Sequence, residues 1–231
     1  MMKISSLFTI HLVSLFILMV ITIPGKSQEE KTSPVDLGAD LMSRYVWRGT
    51  DYGASPSIQP FIEFGLSNFS LGVWGAYTTN NPGIQEVDLY ANFTMKELLT
   101  ISCTDYFFPD EIRGYNYYEF RKDSSAHIIE GMLKFNGTEN LPLTLMAGIN
   151  IYNDPDNSVY FEAGYSLSVL NLFVGAGNGF YTTDGKFNFI NIGISATKDL
   201  PITEKYSLPL SASFITNPQA GRVYLVFGVS F

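Results

Sequence analysis

From residue 35 to the C-terminus, apolar and polar positions alternate with a period of two. Val35, Leu37, Ala39 and Leu41 alternate with Asp36, Gly38 and Asp40, after which Tyr45 and Trp47 continue the apolar parity and Arg44 and Arg48 the polar one. The parity then shifts: Ile58, Pro60, Ile62, Phe64 and Leu66 stand opposite Ser57, Gln59, Glu63 and Gly65. Pro60 is out of keeping there, because proline donates nothing to a ladder and belongs at an edge or a bulge. The rhythm returns over residues 69–77, 87–95, 99–103, 127–135, 141–151, 159–167, 170–180, 190–196 and 208–214, and closes on Val223, Leu225, Phe227, Val229 and Phe231. Successive side chains of a strand point to opposite faces, so the pattern predicts strands with one greasy face each. It gives about twelve strands of about ten residues, the length of tilted membrane-crossing strands, in the even number that single-chain bacterial barrels have.

The connections also sort into two kinds. With the N-terminus on the periplasmic side, the odd-numbered ones carry "GTDYGASP", "TNNPG", the long polar and aromatic 109–123 segment, "NDPDN", "TTDGK" and "TNPQAG". The even-numbered ones are tight turns near Asn68, Lys96, Asn136 to Asn140 and Val169, with "KDLPITEKY" at 198–206 as a long exception. In "FNGTEN" the Asn-Gly pair predicts a tight hairpin; the sequons at Asn68, Asn92 and Asn136 are read as coincidental. Ahead of the strands, Lys3 precedes an apolar run to Ile23 followed by Pro24-Gly25-Lys26-Ser27. It reads as a signal peptide, residues 1–27, with a signal anchor as the competing reading. Residues 28–231 are then one barrel, with 28–34 as a short periplasmic lead.

Alternation does not by itself separate a membrane barrel from a soluble sandwich or a lipocalin-like barrel, since each has one apolar face. Composition bears on the other face. Only 16% of residues are charged and 15% are aromatic, with 20 glycines and 14 tyrosines, whereas soluble domains have about 25% charged residues. "SNFSLGVWGAYTTN" contains no charge. Small polar residues suit a barrel interior, which leaves the apolar stripe for lipid. Backbone chemistry agrees, because sheet edges in hydrocarbon have to close. Aromatics near strand ends, namely Tyr45, Trp47, Tyr77, Tyr106 to Phe108, Tyr152, Phe180 and Tyr181, are expected to form an interfacial girdle.

Removing residues 1–27 leaves 12 basic against 22 acidic groups, a net −10. That balance lacks the basic stripe of a nucleic-acid binder. The single cysteine, Cys103, permits no internal disulfide and reads as a lipid-facing filler. No residues have zinc-site spacing, and no cofactor is implied. His127 falls on the apolar parity. Ser124 and Ser125 are the weak candidates for an embedded hydrolase, and the expectation is that the chain is not an enzyme. The charges on polar faces are more informative: Asp40, Arg44, Arg48, Glu63, Glu86, Asp88, Glu130, Glu162 and Arg222, with the neutral Gln59. Facing lipid, each would cost about 2–4 kcal/mol near the midplane. Facing a lumen they can pair across strands, either as a structural network or as a ring that filters solutes.

At these residues the chain resembles the TorF-type porins, the uncharacterised outer-membrane family also called Gcw-chp. The resemblance rests on Arg48-Gly49, on Pro-Ser-Ile-Gln at residues 56–59, on Gly-Val-Trp at 72–74 and on Glu-x-Asp-Leu-Tyr at 86–90, and it covers residues 37–93. It implies placement in the outer membrane and marks Arg48, Gln59, Glu86 and Asp88 for test. The terminal Phe231, ending an alternating strand, is similar to the signal read by the barrel-assembly machinery. The expectation is therefore an all-β, closed antiparallel transmembrane barrel that gives small solutes passive passage, lined by the ten residues named above. Its partners would be outer-membrane lipid, the assembly machinery and those solutes, and not nucleic acid. The rival is a structural or surface-interaction barrel without an open pore, in which the 109–123 loop either folds inward or binds outside.

Overall fold

A computed structural model describes residues 33–80, 82–204 and 206–231; the predicted signal peptide lies outside the described residues. Residues from Pro34 to Phe231 form one compact unit. Its strands are β1 (Val35–Met42), β2 (Val46–Trp47), β3 (Thr50–Asp51), β4 (Ser57–Leu66), β5 (Phe69–Thr78), β6 (Gln85–Met95), β7 (Leu99–Phe107), β8 (His127–Phe135), β9 (Leu143–Tyr152), β10 (Val159–Ser166), β11 (Leu170–Gly179), β12 (Gly185–Pro201), β13 (Ser207–Asn217) and β14 (Arg222–Ser230).

β1 and β4 to β14 make a closed barrel of twelve antiparallel strands, each beside its neighbour in sequence, while β2 and β3 pair only with each other. Closure is by β1 on β14, where Asp40, Leu41 and Met42 stand opposite Ser230, Val229 and Gly228. Beyond them Ala39 and Phe231 exchange backbone bonds of 3.2 and 3.0 Å. An even number of alternating strands makes the closing pair antiparallel as well, so no edge is left unpaired.

The apolar parity lies outside. Leu37, Ile62, Phe93, Ile101, Leu145, Phe161, Phe214 and Phe227 are all exposed, and Leu225 is 76% exposed. Most of the fully buried side chains are polar or charged, among them Ser57, Glu86, His127, Glu130 and Asn150. This is the reverse of a water-soluble core. Cys103 is exposed on the outer face, as its parity predicts.

Several local expectations fail for identifiable reasons. Pro60 sits in mid-strand, and the β4–β5 pairing lapses between Ile58 and Phe61, where Pro60 has no N–H to donate, while the register is the same on either side. Residues 198–201 continue β12 and pair with residues 207–210 of β13, so the 198–206 link is an extended hairpin with a short turn at its end. In "FNGTEN" the tight turn falls between Thr138 and Leu141, which exchange backbone bonds, and Gly137 with φ of 79° only redirects the chain toward it. A bulge in β12 places Asn191 opposite Gly175 and Phe189 opposite Ala176. The extra residue, Ile190, is thereby turned inward and fully buried, not set on the outward apolar row.

Candidate functional site

β1 ends at Met42, short of the extension expected through Arg48. The chain leaves the wall at the loop-bearing end and folds into the lumen as the β2–β3 hairpin, with Val46 opposite Asp51 and Trp47 opposite Thr50. The turn between them is Arg48-Gly49, with φ of 49° and 77°. Positive φ at both central residues is the type I′ pattern that suits the strand twist. Gly49 fits at no steric cost, and its tip lies so close to the wall that a Cβ there would stand 1.8 Å from the Ile190 carbonyl oxygen. Arg48 is held in a conformation costing of order 1–3 kcal/mol, which surrounding contacts must offset.

Those contacts come from the far wall. Arg48 Nη1 and Nη2 donate to the two oxygens of Glu130 at 2.6 and 2.9 Å, and Nη1 also donates to the Tyr181 hydroxyl at 2.6 Å. The guanidinium lies over Trp47 and Tyr160, each 4.4 Å from the ring centroid, with Tyr181 at 5.1 Å. Arg48 is 8% exposed and Glu130 1%. Tyr106 donates a further bond to Glu130 at 2.8 Å. The wall leaves room for this: a Cβ on Gly148 would meet Glu130 Oε1 at 2.5 Å, and one on Gly175 would meet the Tyr160 hydroxyl at 2.1 Å. Asn217 Nδ2 fixes the tip by donating to the Gly49 carbonyl at 3.1 Å.

The rest of the hairpin divides the lumen. Tyr45 donates to Glu86 Oε2 at 2.6 Å and packs against Trp74 at 5.6 Å between centroids. Trp47 lies 5.3 Å from the Tyr106 ring. Beside the hairpin is a cavity of about 550 Å³ lined by Tyr45, Trp47, Trp74, Tyr106, Glu86 and Asp88, among others. Asp88 is 6% exposed, and its Oδ1 has no hydrogen-bond partner.

The ten residues predicted to line the lumen thus occupy different positions. Arg48, Glu86, Asp88 and Glu130 meet at or beside the hairpin, and Gln59 donates to Ser57 at 2.9 Å on the same inner face. Glu162 accepts from Tyr160 and from Asn191, the latter at 2.9 Å. Asp40 stands opposite Gln59 on β1, and Glu63 accepts from Ser70 at 3.1 Å nearer the turn end. Arg44 lies off the strand, with its guanidinium 2.7 Å from Asp51 at the base of the hairpin. It shares a cleft at the loop-bearing mouth with Arg222.

Their positions near strand ends predict an outer girdle for Tyr45, Trp47, Tyr106 and Tyr181. Instead they wall the inner cage, together with Tyr160. The parity of Tyr106, on the same face as Ser102 and Thr104, is the available signal for it; in "VWRGTD" only Gly49 suits a type I′ turn, and Arg48 does not carry the Asn or Asp that marks one. The 109–123 segment does not enter the lumen. It folds against the outer wall, where Phe120 stacks on His127 at 4.1 Å and Tyr117 lies 5.0 Å from it. His127 Nδ1 pairs with Asp105 at 2.9 Å and Nε2 with the Tyr117 carbonyl at 2.8 Å. A histidine on the outward parity is therefore fully buried.

A family model described as "Bacterial protein of unknown function (Gcw_chp)" matches residues 28–207. No curated protein matches. Among solved structures, a triple mutant of the Rh. blastica porin is similar at 11% identity and a TM-score of 0.40, over 76% of this chain and 55% of that one. The chain thus spans little more than half the length of that porin.

Proposed function

Since the chain belongs to the Gcw_chp family, for which no function is described, its activity has to be read from its own geometry, and we propose that it is a porin-like barrel of the bacterial outer membrane giving small solutes passive passage. The observation that carries this reading is the inversion of polarity in a closed sheet. An exterior of Leu, Ile, Val and Phe surrounds an interior of Ser, Asn, Tyr and carboxylates. Such a surface suits hydrocarbon, and such an interior suits water and polar solutes. Acids outnumber bases along the wall, with Asp36, Asp40, Glu63, Glu86, Asp88, Glu130 and Glu162 on inward parity against Lys134, Arg222 and the inserted Arg48, so the passage favours cations. The β2–β3 hairpin is its constriction. On the same reading the C-terminal strand ending in Phe231 is the segment presented to the assembly machinery, and the chain is not an enzyme.

One observation favours a second reading, a barrel without an open pore. The hairpin is latched across the lumen by a buried ion pair and ring stacking, the hallmarks of a plug. Planar bilayer recording separates the two. Discrete, cation-favouring conductance steps from the wild-type protein support the constricted pore. Silence from folded wild type together with conductance from Arg48→Ala supports the plugged barrel, and silence from both overturns transport altogether.

A further inference from the structure

We propose that the chamber beside the hairpin is a binding site for a small organic ammonium ion, held by Asp88 and Glu86 within an aromatic cage. The inference rests on the lumen being a path for solutes and names which solutes it retains.

The first observation is an unmet acceptor beside a second buried carboxyl. Asp88 Oδ1 is buried without a partner on the chamber wall. A buried acceptor left unpaired is costly, and a carboxylate more so than a neutral group. Glu86, two residues away on the same face and 1% exposed, accepts a bond from Tyr45, a neutral donor, so the negative charge that this neighbouring carboxyl pair carries has no committed cation. Arg44 is the one cation among the described residues lining the chamber, and it is committed to Asp51 at 2.7 Å.

The second observation is the wall itself. Tyr45, Trp74, Tyr90 and Tyr106 line the cavity with the two carboxylates, and Met132 and Val226 add apolar surface to it. Aromatic faces attract cations through the ring quadrupole, and quaternary ammonium groups are the ligands such cages take. The molecule holds a worked example a short distance away: Glu130 is matched by a guanidinium lying over three rings. The chamber repeats those ingredients, and its one lining cation, Arg44, is paired with Asp51 instead. At about 550 Å³ it falls within the size range of small-molecule sites.

The chemistry also selects against other ligands. A metal ion seeks several hard oxygen or nitrogen donors, and among the described residues no group of three or more His, Cys, Asp or Glu converges to hold one. An anion would meet two carboxylates. A neutral apolar solute would leave Asp88 unpaired.

Both tryptophans of the chain, Trp47 and Trp74, line this chamber, so intrinsic fluorescence reports on it directly. The test is a titration of folded, detergent-solubilised protein with choline and with its uncharged isostere 3,3-dimethylbutan-1-ol, with sodium acetate as the anion control. The expected result is a saturable change with choline and none with the alcohol or acetate. Asp88→Asn should weaken choline binding at least about tenfold, because a charge-assisted contact is lost, and Glu86→Gln provides a second variant should Asp88→Asn fail to fold. Equal responses to choline and the alcohol, or undiminished choline binding in the folded variant, overturn the proposal. Binding in detergent involves no flux. A silent but choline-binding barrel would fail the pore reading alone, and a conducting barrel indifferent to choline would fail this one alone.

Discussion

Replacing Arg48 with alanine removes the guanidinium that joins the hairpin to the opposite wall. Its loss breaks a two-pronged ion pair with Glu130, a bond to Tyr181 and stacking on two rings at 4.4 Å. Removing one partner of a buried pair costs about 3–5 kcal/mol, because the other charge stays behind unpaired. What still holds the hairpin is the Tyr45–Glu86 bond, the Asn217 bond to the Gly49 carbonyl and the packing of Trp47. Each hydrogen bond of that kind contributes about 1 kcal/mol net. At about 1.4 kcal/mol per tenfold, the docked-to-released ratio should fall by roughly two to three and a half powers of ten. The twelve-strand wall does not depend on the hairpin for its ladder, so the variant should still fold as a barrel. In planar bilayers it should show larger or longer-lived steps than the wild type. Arg48→Lys, which keeps the charge and loses the fork, should fall between the two. Unchanged step size and lifetime in Arg48→Ala, with the barrel intact, would refute the latch.

Gly49→Ala should displace the hairpin even with the ion pair retained, since its Cβ would meet the Ile190 carbonyl at 1.8 Å and the residue is held at φ of 77°; bilayer steps resembling those of Arg48→Ala are expected, and wild-type behaviour would contradict the close approach. Leu225→Arg, on an outward position 76% exposed, should lower folding stability in lipid vesicles by about 2–4 kcal/mol, whereas Ser213→Arg on the inward parity should cost clearly less; equal costs would refute the assignment of faces. His127→Ala should free the 109–123 loop by removing the ring stacked on Phe120, seen as faster tryptic cutting at Arg121, and an unchanged cutting rate would show that the loop is held elsewhere. In the 153–158 loop, burial raises the affinity of the Asp154 carboxyl for its proton, but bonds from Ser158, Asn150 and the Asp156 backbone outweigh this and hold its pKa below the usual aspartate value. A folded-state pKa below the unfolded one gives stability that is present above the unfolded pKa and lost as pH falls through the folded one. Amide-exchange protection of Ser158 should therefore persist through the ordinary aspartate range near ~4 and fail only in stronger acid; loss at the ordinary value would contradict it.

The barrel was legible in the sequence because each strand carries its own two-residue period, which an outward apolar row repeats. Val223, Leu225 and Phe227 needed no tertiary information to be assigned to one face. The hairpin was less legible for a physical reason: parity says which face of a sheet a residue occupies, but not where the sheet stops. Arg44 and Arg48 keep the polar parity of β1, yet the strand ends at Met42 and the parity then refers to nothing. Aromatic residues near strand ends suit both an outer girdle and an inner cage, so Tyr106 and Tyr181 could be placed only by what faces them, namely Glu130 and Arg48. Ile190 was misplaced because a single-residue bulge inverts facing without changing composition. His127 kept its predicted face, but a loop folded back over it, a long-range contact that no local pattern encodes.

The most direct test of the inside-out wall uses the chain's single cysteine. Cys103 lies outward and exposed on β7, so a fluorophore attached there in reconstituted vesicles should be quenched by brominated lipid and untouched by aqueous iodide. Quenching by iodide with indifference to brominated lipid would put that face in water and contradict the account.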